Sequence, residues 1–170
     1  MTAEVLEIRL AQAGDLPAIV DIYNASIPGR LATADTEPVS VEQRREWFEG
    51  HSEKRPIWVA EVDGSVAGWV SVEPFYGRPA YEQTVEVSLY LHPDAQGKGL
   101  GRQLLAHVLA QADTLGITHL TAYIFSHNRP SLRLFEKAGF TIWGQLPGIA
   151  KMDGQRFGLT ILGRSLIEAE

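Results

Sequence analysis

"VEVSLYLHPDAQGKGLGRQLLAHVLAQA" occupies residues 85–112 and changes character twice. Val85, Val87, Leu89 and Leu91 alternate with Glu86, Ser88 and Tyr90, the period-two pattern of a strand with one apolar face. Leu100, Leu104, Leu105, Val108, Leu109 and Ala112 then recur at helical spacing, so an amphipathic helix runs to about 115 and Gly116 closes it. Gly97, Gly99 and Gly101 lie between the two. Such a junction lets successive backbone N–H groups converge on one anion, helped by the positive end of the helix dipole. Lys98 and Arg102 add charge at the rim. The junction reads as a phosphate or diphosphate cradle. It is not a P-loop, because Lys98 is followed by Gly99, and in a dinucleotide fingerprint the last glycine would come later than Gly101.

On either side the pattern alternates strand and helix. A strand is predicted over 5–11, then a helix to about 25 with Asp15 as its cap, an irregular loop over 27–38, and a helix opened by Ser40 and Gln43 as a capping box and ending near Gly50. Strands over 56–62 and 65–73 flank Asp63-Gly64, a strong hairpin signal. After the junction come a strand over 118–125, a short helix over 131–138 stopped by Gly139, and a closing strand pair over 140–146 and 156–162. This order implies one α/β domain, residues 1–170, with a mixed sheet.

Composition narrows the chemistry. Net charge is −6, which leaves no basic footprint for nucleic acid or an anionic membrane. The chain has no cysteine, so disulfides, thiolate metal sites and a cysteine nucleophile are excluded. The opening MTAEVLEIRL lacks a signal-peptide pattern and no run is long enough to span a bilayer, so a soluble, cytoplasmic protein is expected. Neither H-E-x-x-H metal spacing nor a G-x-S-x-G elbow occurs.

Gln96-Gly97-Lys98-Gly99-Leu100-Gly101 resembles the Q/R-x-x-G-x-G/A motif of the GNAT superfamily of N-acetyltransferases. "NRPSLRLFEKAGF" at 128–140 is similar to that superfamily's N-x-x-[SA]-x-x-L-[YFH]-x-x-x-G-[FY] helix. Within it, "IYN" at 22–24, "TEPVS" at 36–40, "WVAEVDGSVAGW" at 58–69 and "RPAYEQTVEVSLYLHP" at 78–93 resemble the phosphinothricin and methionine sulfoximine acetyltransferases.

The resemblance implies a mostly antiparallel sheet with a central parallel strand pair that splays, the first of the pair bulged, flanked by helices. It implies acetyl-CoA as cosubstrate, no metal, a small amino-acid-like amine as acceptor, direct transfer in a ternary complex, and a homodimer. By the same resemblance Leu89, Tyr90 and Leu91 pair with the pantetheine arm, and Gln96, Gly97, Lys98, Gly99, Leu100, Gly101 and Arg102 take the diphosphate. Ser131 and Lys137 touch the coenzyme, and Asn128 stands at the substrate–coenzyme junction. Pro79, Ala80 and Tyr81 form a substrate-contacting turn, and Glu86 is the general base. From pattern alone Glu86 could equally solvate an outer strand face, and Glu82 is a second carboxylate close by.

The chain departs from that group in three places. Phe135 stands where a proton donor to the departing thiolate is common, Ala34 replaces a phenylalanine, and Gly154-Gln155-Arg156-Phe157-Gly158 lacks the usual tail aspartate. Arg30 and Arg78 are available to a substrate carboxylate. His92 is read as a turn cap and His107 as lying on a polar helix flank, while His119 and His127 fall at strand ends. A protein or peptide N-terminal acetyltransferase and a non-catalytic acetyl-CoA sensor are the competing readings.

Overall fold

The computed structural model describes residues 6–168; Val5, where the first strand is predicted to begin, lies outside them. The elements are β1 (Leu6–Leu10), α1 (Leu16–Ser26), α2 (Val41–Glu49), β2 (Ile57–Val62), β3 (Ser65–Pro74), β4 (Thr84–Leu91), α3 (Leu100–Gln111), β5 (His119–Phe125), α4 (Arg129–Lys137), β6 (Thr141–Met152) and β7 (Gln155–Ser165). All the strands join one sheet in the order β1-β2-β3-β4-β5-β7-β6. Every neighbouring pair is antiparallel except β4 and β5.

Local chemistry explains most boundaries. Asp63 (φ 52°) and Gly64 (φ 85°) both take left-handed backbone, which a two-residue hairpin turn between twisted strands demands. Ser40 Oγ accepts from the Gln43 N–H at 3.1 Å and Gln43 Oε1 accepts from the Ser40 N–H at 2.8 Å, so the capping box is complete. Asp15 does not cap α1. A single 3-10 turn over Ala13–Asp15 precedes that helix, and the Asp15 carboxylate turns back to the Gln12 N–H at 2.7 Å and the Arg9 guanidinium at 2.8 and 2.9 Å.

Two other predictions stop short. α4 starts at Arg129, because Asn128 Oδ1 caps it from the Ser131 N–H at 3.3 Å and Pro130 fits the first turn. β6 continues beyond 146 to Met152, with a slip in its register against β7 between Leu146 and Ala150. Pro147 and Gly148 disguise this strand in the sequence, and its edge position is what tolerates them.

Two cores sit on opposite faces of the sheet. On the back, Leu104, Leu105 and Val108 of α3 and Phe135 of α4 pack against Val70, Val72, Val85, Val87 and Leu120. On the front, Ile19, Ile22 and Tyr23 of α1 pack against Ile57, Val59 and Trp69. Trp69 is 1% exposed and its indole N–H donates to the Ile19 carbonyl at 3.1 Å. Trp69→Ala is expected to cost about 3–5 kcal/mol, a large part of a domain's stability. Urea unfolding measures it, and a loss below about 1 kcal/mol contradicts this packing.

The parallel pair is short. β4 and β5 are in register only at Thr84↔His119, Val85↔Leu120 and Glu86↔Thr121, although they continue to Leu91 and Phe125. They splay from there on. Against β3, by contrast, β4 keeps unbroken register from Pro74↔Val85 to Gly68↔Leu91. The bulge implied by the resemblance is therefore absent from this pairing. β4 leaves its parallel neighbour by divergence, without an extra residue.

Candidate active site

Strand alternation determines which backbone groups face the gap. The His92 N–H donates to the Ala67 carbonyl at 2.8 Å, and the Phe75 N–H donates to the Thr84 carbonyl at 3.1 Å. Even-numbered residues of β4 thus turn their backbone to β3, and Val87, Leu89 and Leu91 turn theirs to the opening beside β5. Leu89 and Leu91, both predicted to pair with the pantetheine arm, line the cleft with their backbone groups turned to this opening. Tyr90 also lines the cleft, but its backbone faces Trp69 on β3. Its ring packs on the front face, 4.9 Å from Trp69 and 5.2 Å from Tyr23, and its hydroxyl donates to the Ala32 carbonyl at 3.1 Å. Burial, and then Tyr23, pushes this phenol's pKa up.

A cleft of about 590 Å³ opens between the splayed strands, the start of α3 and one side of α4. Gly97 (φ 77°) and Gly99 (φ 80°) hold left-handed backbone at its end, which L side chains rarely adopt. The first helical bond of α3 runs from the Gln103 N–H to the Gly99 carbonyl at 3.2 Å. The N–H groups of Leu100, Gly101 and Arg102 thus have no helical acceptor, and they stand at the positive end of the dipole. At Gly101 a Cβ would come within 3.2 Å of Leu134 Cδ2, so glycine lets α3 and α4 close on each other. The pattern fits a diphosphate.

Of the predicted coenzyme residues, Gln96, Gly97, Gly99, Leu100, Gly101 and Arg102 line this cleft, and Lys98 does not. Ser131, Lys137 and Asn128 line it from α4 and its cap. The Asn128 side chain is already engaged at both ends, since its Nδ2–H donates to the Leu31 carbonyl at 3.1 Å while Oδ1 caps α4. The His127 Nε2–H donates to the Arg30 carbonyl at 2.9 Å. Together these bonds bracket the loop after α1 against the β5–α4 junction and bring Leu31 and Ala32 over the cleft. Sequence reasoning read that segment as an irregular loop and singled out Ala34 in it, but not Leu31 or Ala32, because the loop carries no periodicity. It also missed Arg133, which the four-residue spacing to Lys137 on α4 could have flagged.

Glu86 is half-buried on the front face, opposite Glu73 on β3 and Thr121 on β5. Burial first, and the like charge of Glu73 second, raises its carboxyl above the ordinary glutamate value. Glu73 in turn accepts from the Trp47 indole N–H at 2.6 Å and has His51 Nε2 at 3.7 Å. The environment is that of a base with its affinity for a proton increased. Pro79, Ala80 and Tyr81 form an exposed 3-10 turn in the connection leading into β4, outside the cleft lining. The Tyr81 ring lies 5.9 Å from Phe75 and 5.8 Å from Tyr76.

Several other candidates have structural work. Arg30 Nε donates to Asp153 at 2.9 Å, so it is not available as a carboxylate receptor, whereas Arg78 is exposed. The His92 ring accepts from the Asp94 N–H at 3.1 Å and caps its turn. His107 is half-buried edge-on to Trp58 at 5.1 Å, and burial lowers its pKa; it does not lie on an open polar flank. Among the described residues no helix is long and apolar enough to cross a membrane, and no cluster of three or more His, Cys, Asp or Glu could hold a metal.

A sheet parted beside a helix-end anion cradle, with a proton-avid carboxylate on the adjoining face, defines a group-transfer enzyme built around a phosphate-tailed carrier. The chain belongs to the acetyltransferase (GNAT) family, whose profile matches residues 16–140. It is 57% identical over 95% of its length to YwnH of Bacillus subtilis (strain 168), provisionally named a phosphinothricin acetyltransferase, and spans 99% of that protein. It is 34% identical over 96% of its length, and 95% of the relative's, to an L-methionine sulfoximine/L-methionine sulfone acetyltransferase of Salmonella typhimurium. A crystal structure of a GNAT phosphinothricin acetyltransferase from Sinorhizobium meliloti in complex with acetyl-CoA superposes with a TM-score of 0.89 at 30% identity. That match covers 95% of this chain and 88% of the other. The enzyme is an N-acetyltransferase with the GNAT fold.

Proposed function

We propose that this chain, as one domain over residues 1–170, transfers acetyl from acetyl-CoA to the amine of a small amino-acid-like substrate of the phosphinothricin or methionine sulfoximine type. The observation that carries the proposal is the placement of Glu86 on the front face where β4 and β5 part, with the glycine cradle at the far end of the same strand. Acetyl-CoA supplies the activated acetyl group as its thioester. The backbone of Leu89 and Leu91 receives the pantetheine arm, and the N–H groups of residues 97–102 hold the diphosphate. Arg102, Arg133 and Lys137 add positive charge along the cleft.

Glu86 takes a proton from the ammonium on the front side. Pro79, Ala80 and Tyr81 border that approach, Arg78 is the exposed cation available to a substrate carboxylate, and Asn128 fixes the loop that roofs the junction. With no cysteine in the chain, transfer is direct in a ternary complex.

A thiol reagent that follows CoA release tests this against single amino acids, methionine sulfoximine, phosphinothricin, polyamines and short peptides. Fastest release with a free amino acid or one of its two analogues is expected. Fastest release with a peptide identifies a peptide acetyltransferase, and acetyl-CoA binding without release on any amine identifies a sensor. The proposal extends to a cytoplasmic homodimer. Edge strand β6 supports the dimer, since it exposes Ile142, Trp143, Leu146 and Ile149.

A further inference from the structure

Moving acetyl from a thioester to an ammonium takes two protons from nitrogen and gives one to sulfur. Phe135 cannot supply the sulfur, because its ring carries no ionisable proton; it is 3% exposed and packed edge-on to Phe140 at 5.0 Å. Five hydroxyl groups line the cleft, and two are committed. Ser26 Oγ donates to the Tyr23 carbonyl at 2.6 Å, and the Tyr90 hydroxyl to Ala32. Ser88 and Ser131 carry aliphatic alcohols, far weaker acids than a phenol.

Tyr123 remains. It lies on β5 two residues beyond Thr121, the last residue paired with β4. Alternation puts its side chain on the same face as Thr121 and Glu86, at the mouth of the splay. It lines the cleft, is 37% exposed, and makes no hydrogen bond to any other described residue. Its titratable neighbours are Glu86 from β4 and Tyr76 from the β3–β4 connection, and across β7 it pairs with Ile161, which does not ionise.

Resting on the acetyl-transfer reading above, we propose that Tyr123 is a catalytic residue that carries a proton from Glu86 to the departing sulfur. Glu86 removes one proton from the ammonium. The C–N bond then forms, the C–S bond breaks with its electron pair going to sulfur, and the Tyr123 O–H proton moves to that sulfur. The Glu86 carboxylic acid refills the phenolate, and the second nitrogen proton leaves to water. The refill is essential to the scheme. Burial, and then Glu86, keeps this phenol a weak acid, so it can part with its proton only beside a ready donor.

Tyr123→Phe tests it. The expected result is a fall in kcat of about 10²-fold, the lower end of general acid–base effects. KM for acetyl-CoA should stay within about twofold, and the alkaline limb of the kcat profile should disappear, since only a protonated phenol can donate. A second readout needs no turnover. In ring-labelled protein without substrates, the tyrosine resonance missing from Tyr123→Phe should titrate at lower pH in Glu86→Gln than in wild type. Unchanged kcat in Tyr123→Phe overturns the proposal, and so does a Tyr123 titration indifferent to Glu86→Gln. Absence of CoA release by wild type with every amine would instead sink the acetyl-transfer reading, and Tyr123 with it.

Discussion

Glu86→Gln is expected to lower kcat/KM by about 10²–10⁴-fold while calorimetry finds acetyl-CoA binding unchanged. The carboxyl lies half-buried across from Glu73, away from the cradle. Its pKa is raised above 4.5, chiefly by burial. As the proposed base it works as the carboxylate, so the acid limb of kcat/KM should fall above 4.5 in wild type and move down in Glu73→Gln, which removes the opposing charge. The same shift has a stability sign. A raised carboxyl pKa means the folded chain holds the proton more tightly than the unfolded chain. Glu86's contribution to stability is then fully present below 4.5 and is lost as pH climbs through the folded value. Glu86→Gln should accordingly melt above wild type at neutral pH and lose that advantage below 4.5. Equal activity of wild type and Glu86→Gln across the profile would remove Glu86 as the base.

Gly99→Val should abolish measurable saturation by acetyl-CoA in the range that saturates wild type. The residue holds φ 80° at the cap of α3, where a β-branched side chain is strained. Its Cβ would also stand 3.8 Å from Arg102 Nη2, in contact with one of the cations that line the cleft. A hydrogen bond to a charged group contributes about 1.5–3 kcal/mol, so misdirecting a single N–H weakens binding by roughly ten- to a hundredfold. Calorimetry with acetyl-CoA and with desphospho or truncated thioesters separates the two sources of loss. If Gly99→Val weakens only the full coenzyme, the cradle holds the diphosphate; equal weakening of a pantetheine-length thioester contradicts that.

The order of strands and helices was legible because each element obeys its own period, as Val85 to Leu91 and Leu100 to Ala112 do. The left-handed turn ahead of α3 was legible too, since Gly97 and Gly99 do what only glycine does easily. Legibility failed where tertiary contact overrides local chemistry. Asp15 resembles a helix cap, but Arg9 from β1 takes its carboxylate. Pro147 and Gly148 look like breakers, yet β6 runs through them at the sheet edge. Leu89, Tyr90 and Leu91 are consecutive, so no composition rule could divide them; register against β3 does. Tyr123 was overlooked for a related reason. Its partner Glu86 lies on another strand, and nothing in "THLTAYIF" announces that proximity.

Among the described residues the ladder between β4 and β5, where the β1–β4 and β5–β7 halves of the sheet meet, spans three residue pairs. In the placement proposed above, the coenzyme's polar arm lies between the halves and completes a ladder that the polypeptide leaves unfinished, so the loaded coenzyme would behave as a missing strand. Amide exchange at Leu89 and Leu91 should slow on loading, and the melting temperature should climb with the logarithm of acetyl-CoA concentration. The protein's rigidity thus becomes a gauge of how much acetyl donor surrounds it.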